Sequence, residues 1–97
     1  MNPFFQQFGA MLVEEANARG VGIDAPPLDD AVAKELLDLA RVVAHSRERR
    51  FAPLACYLAG IAIAQMQLKN PQIDIVGYLK SLRVALEPQE DSSSNPG

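Results

Sequence analysis

Ninety-seven residues, 48% hydrophobic content and a formal net charge of −3 describe one small globular domain with room for a single modest core. The single cysteine excludes an intramolecular disulfide, and one histidine with one cysteine leaves any closed zinc site short of its ordinary ligands. The acidic balance argues against general nucleic-acid binding, and no cofactor or metal is expected.

The N-terminal stretch MNPFFQQFGAMLVEEANARG has neither a basic start nor an unbroken apolar run, so it does not read as a secretory signal, and a cytoplasmic location is expected. Pro3 suits the first position of a helix, where no N–H is needed, and Asn2 is placed to cap it. Phe5, Phe8, Leu12 and Ala16 recur at helical spacing as one apolar stripe, with Phe4 facing away from it. Gly20 is placed to end this helix in the left-handed conformation. VGIDAPPL then reads as a connector, since a residue before proline avoids helical angles, with Ile23 and Leu28 as apolar plugs.

A second helix opens at Asp29 or Asp30, both of which suit the positive end of a helix dipole. Val32, Leu36, Leu39, Ala40 and Val43 form its inner face, and Lys34, Asp38, Arg41 and His45 its polar one. The link that follows holds Arg47, Arg49 and Arg50. Pro53 marks the first turn of a third helix that is apolar on nearly every side. Such a helix is either central and buried or crosses a membrane. Its apolar run from Phe51 ends at Gln65, shorter than the ~20 residues of an ordinary span, so a buried central helix is expected and no membrane contact. A fourth helix is expected from Asn70-Pro71, with Ile75, Tyr78, Leu79, Leu82 and Leu86 inward, Lys80 and Arg83 outward, and Pro88 ending it. The expected fold is all-α, a compact bundle of four helices over residues 1–86, followed by a disordered acidic tail over 87–97.

Three features bear on function. Asp38, Arg41 and His45 share one face of the second helix, where His45 could act as a base or ligand oriented by Asp38. No second partner accompanies them, so a histidine sitting at a helix C-terminus is the plainer reading, and no catalytic residue is assigned. Cys56 lies between Ala55 and Tyr57 and reads as a small buried side chain. Arg47, Arg49 and Arg50 precede a helix start, and guanidinium forks match phosphate and carboxylate, so they are the best candidates for holding an anion. With Asp38, Arg41 and His45 they make up the candidate ligand-binding set. The plainer reading is a soluble connector. Ala55 with Ala59, and Gly60 with Ala64, would also let another helix approach closely, in this chain or in a second copy.

The stretch LLDLARVVAHSRERRFAPLACYLAGIA, Leu36 to Ala62, resembles a small actinobacterial-type all-helical family of unknown function. Leu37-Asp38-Leu39-Ala40-Arg41, Val43-Ala44-His45, Ala52-Pro53-Leu54 and Gly60 carry the resemblance, whereas Phe51, the extra arginines and the continuation into a fourth helix and a tail depart from it. Members of that family occur alone or fused to molybdenum-cofactor guanylyltransferase-like domains. The resemblance therefore implies a helical accessory module and points toward molybdenum-cofactor metabolism. The expectation is a non-enzymatic domain that binds a protein partner or itself as a homodimer. The alternative is a binder of a small anionic or phosphorylated ligand through the arginine link.

Overall fold

The structure, a computed structural model, describes residues 3–87. It is all-α, with four helices and no strand among the described residues: α1 Pro3–Ala18, α2 Asp30–Ser46, α3 Phe51–Lys69 and α4 Ile75–Leu86. The expected acidic tail beyond Glu87, like the Asn2 cap, lies outside the described residues. The fold divides into two compact units, residues 1–30 and residues 31 onward.

The first unit is α1 and its connector. α1 ends as its glycine requires. Gly20 has φ 81°, its N–H donates to the Asn17 carbonyl at 2.9 Å, and the Val21 N–H donates to the Ala16 carbonyl at 3.0 Å. That pair of bonds is a Schellman cap, and a side chain at Gly20 would be strained. The expected apolar stripe, by contrast, is not a buried one. Phe5, Phe8 and Leu12 stay exposed and the buried residue of α1 is Gly9. A Cβ at Gly9 would stand 3.6 Å from the Ala25 Cβ, so the proline-bearing connector lies close along this side of α1. Phe4 does not face away either. It stacks on Phe8 with centroids 5.7 Å apart and meets Phe5 edge-on at 5.1 Å. Spacing of four brings Phe4 and Phe8 to one face, and stacked aromatics gain attraction beyond the area they cover. Leu28 is half-buried, but Ile23 is exposed and is no plug.

The second unit holds the core. Leu79 of α4 is wholly buried and meets Leu39 and Val43 of α2 and Ala59 of α3. Val32, Leu36, Ile63, Ile75 and Leu82 pack around this cluster from the three helices. α2 presents its apolar face inward as its spacing requires.

α3 is where structure and expectation part. It is not a buried central helix: only Ala52 and Ala59 are buried, while Leu54, Tyr57, Leu58, Ile61 and Leu68 are exposed. α2 and α4 cover one side of it, so a helix apolar all round has the rest of its circumference uncovered. Its 19 residues also reach the length and apolarity needed to cross a membrane.

The fourth helix begins at Ile75, later than the Asn-Pro pair suggests. The Asn70 side-chain carbonyl accepts from the Gln72 N–H at 3.1 Å, and its backbone carbonyl from the Ile73 N–H at 3.0 Å, which folds Asn70–Ile73 into a turn. Asp74 is the true cap, its carboxylate accepting from the Gly77 N–H at 3.0 Å. A Cβ at Gly77 would meet that carboxylate, so a side chain there would make Asp74 shift.

Leu79→Ala should cost about 2–5 kcal/mol of unfolding free energy by urea denaturation, the range for deleting a buried leucine. Leu68→Ala, at a residue 87% exposed, should fall within roughly 0.5 kcal/mol of the parent.

Candidate functional site

The polar face of α2 is assembled as its spacing predicts, but without the histidine. Asp38 accepts from the Lys34 ammonium and the Arg41 guanidinium, each at 3.4 Å. Partial desolvation pushes the Asp38 carboxyl up. The hydrogen bonds and charges of Lys34 and Arg41 outweigh this and hold it below the ordinary aspartate range. Its contribution to stability is therefore present above that range and is lost as pH falls through the lowered midpoint. His45 sits exposed in the last turn of α2, and neither Asp38 nor Arg41 bonds to it.

The arginine link is open to solvent. Arg47 donates to the Ser46 carbonyl at 3.0 Å. Arg50 pairs with Glu48 at 2.8 Å, and its guanidinium lies 5.9 Å from the Phe51 ring centre. Arg49 is exposed between them. None of the contacts that Arg47 and Arg50 make is with Asp38, Arg41 or His45. The helix start they precede is also already satisfied. The Phe51 N–H donates to the Glu48 carbonyl at 2.9 Å and the Ala52 N–H to the Arg49 carbonyl at 3.2 Å, while Pro53 has no N–H. Helix N-termini hold anions through free amide donors, and the first three positions of α3 offer none.

Cys56 is half-buried on α3, with its sulfur 3.8 Å from the Leu36 carbonyl oxygen. Burial pushes its thiol up, away from the thiolate that a nucleophile needs. Among the described residues no group of three or more His, Cys, Asp or Glu side chains could hold a metal ion.

Two features escaped the sequence reading. The first is a buried charge. Glu35 lies on the inner face of α2, its side chain 5% exposed, and Arg83 reaches it from α4 with Nε 3.6 Å from Oε1. Arg83 thus points inward rather than outward, and it also grips Glu87 at 2.9 Å. The hydrogen bond that Arg83 donates to the Glu87 carboxylate raises its pKa against the pull of desolvation, with the charge of Glu35 adding to it, so the guanidinium stays ionised. Glu35 Oε1 and Arg83 Nε have no hydrogen-bond partner in the structure, so the pair is an ionic contact between α2 and α4. The signal was present in the pattern Val32, Glu35, Leu39, which sets a carboxylate on the apolar stripe.

The second is the open side of α3. Between α3 and α4 runs an apolar groove of about 350 Å³, with Ala55, Ala59 and Ala62 on the α3 side and Tyr78, Leu82 and Leu86 on the α4 side. Leu58 stands beside it, 64% exposed. From Phe51 to Leu68 the helix carries no charged residue.

The chain belongs to the family described as Domain of unknown function (DUF6457), which matches residues 5–92. No curated protein and no solved structure matches it.

Removing one partner of a buried pair leaves the other uncompensated, which destabilises more than replacing both. Arg83→Met should therefore lower the urea midpoint markedly, and adding Glu35→Leu should restore much of the loss. An unchanged midpoint in Arg83→Met would show the contact to be idle.

Proposed function

We propose that this chain is a helical protein-interaction module, an accessory domain without catalysis of its own, whose docking surface is the open side of α3. The observation that carries the reading is the exposure of Leu54, Tyr57, Leu58, Ile61 and Leu68 on a helix face without charge. Large contiguous apolar surface rimmed by polar residues marks interaction sites on soluble domains, and aromatic and aliphatic anchors dominate their energetics. Here the rim is supplied by the arginine link at one end of α3 and by Lys69 and Asp74 at the other.

The groove beside Leu58 adds shape to that surface, since helix recognition relies on side chains entering a depression. In this reading Arg47, Arg49 and Arg50 keep the end of an apolar helix soluble and steer association. The resemblance over Leu36–Ala62 adds molybdenum-cofactor enzymes as one class of protein beside which such an accessory would work.

A photoreactive phenylalanine in place of Leu58 should give discrete protein adducts when the chain is irradiated in cells, and the same group in place of Lys80 should give none. Adducts with lipid alone, or equal labelling from both positions, would contradict the reading.

A further inference from the structure

We infer that the occupant of the α3 face is a second copy of this chain, its own α3 lying antiparallel in the groove between α3 and α4. The inference rests on the docking reading above and names its partner.

Charge permits the pairing. A two-fold interface sets one patch against itself, so a charge near its axis meets its own sign. The α3 face meets no such penalty, because no charged residue occurs in the 18 positions from Phe51 to Leu68.

The shape of α3 suits self-pairing. One α3 supplies both halves of a ridge-and-groove contact. Leu54, Leu58 and Ile61, at spacings of four and three, form a ridge of exposed side chains. Ala55, Ala59 and Ala62, one position further along, floor the groove beside that ridge. Small side chains there let a second helix come close enough for its ridge to enter. A two-fold axis at Leu58 would place each ridge in the partner's groove at once.

Charge at the helix ends sets the direction. Arg47, Arg49 and Arg50 cluster at the start of α3, offset by Glu48 alone, whereas Lys69 and Asp74 at the other end cancel. Parallel pairing would bring the two arginine clusters together. Antiparallel pairing separates them by the ~28 Å length of the helix and sets each beside the negative end of the partner's helix dipole.

A bilayer is the competing occupant, since α3 has the length and apolarity to cross one. It would cover all sides of α3, and Ala59 would have to leave Leu39, Val43 and Leu79, against which it is buried. The exposed side alone needs a cover, which fits a second protein surface.

Sedimentation velocity of the purified full chain over a wide range of concentration tests this. The mass should rise from 10.5 kDa toward twice that value with concentration. Leu58→Lys and Leu54→Lys, both at exposed positions and so compatible with unchanged circular dichroism, should each weaken association about thirtyfold or more. Leu37→Lys, at an equally exposed leucine of α2, should leave it unchanged. In a Cys56→Ala background, Leu54→Cys should form a disulfide with Ala62→Cys on a second copy and not with itself. A chain that is monomeric throughout, a dimer indifferent to both lysine variants, or association only with phosphatidylcholine vesicles overturns the inference. A monomer that still gives heterologous protein adducts from position 58 removes self-pairing and leaves the docking reading standing. A monomer without such adducts removes both.

Discussion

Leu79 is the point on which the unit from residue 31 onward depends. It is the residue at which α2, α3 and α4 meet, and it admits no solvent. The three short helices can converge there because their contact residues differ in size: Leu39 and Val43 on α2 face Ala59 on α3. The small residue draws α3 in close. The same economy limits what the core can cover. A core centred on one leucine shields one side of a 19-residue helix, and Leu54, Tyr57, Leu58 and Ile61 on the opposite side stay exposed.

The Glu35–Arg83 contact runs beside this core and joins α2 to α4 without passing through α3. Buried ion pairs add little net stability, yet they penalise arrangements in which either charge loses its partner. The pair therefore disfavours sliding of α4 along α2, and with it any shift of the groove wall formed by Tyr78, Leu82 and Leu86. Rigid walls matter to recognition, because a groove that must be ordered on binding gives up part of its contact energy.

Elements with a single strong local signal were legible in the sequence. Gly20 ended α1 as expected, and α2 was readable because its apolar and polar faces alternate cleanly. α3 was not, because periodicity assigns a buried side only when another side is polar, and this helix has almost none. Its apolarity is shared by buried, membrane and docking helices alike. Asn70-Pro71 misled for a different reason. Two cap-like residues lie four apart, and the nearer one was consumed by a turn, leaving Asp74 to start α4. Spacing alone sets Arg83 outside, because nothing local shows that a carboxylate on another helix awaits it. Of the candidate site, the Asp38–Arg41 contact is foreseeable from i,i+3 spacing, while His45 shares that helix face without bonding to either residue.

The central claim is that the Leu58 side of α3 is open in one chain and covered by another. The alkylation rate of Leu58→Cys in a Cys56→Ala background, followed from dilute to concentrated solution, addresses it directly. The account predicts rapid labelling when dilute and progressive protection on concentration. A rate independent of concentration, whether fast or slow, would contradict it.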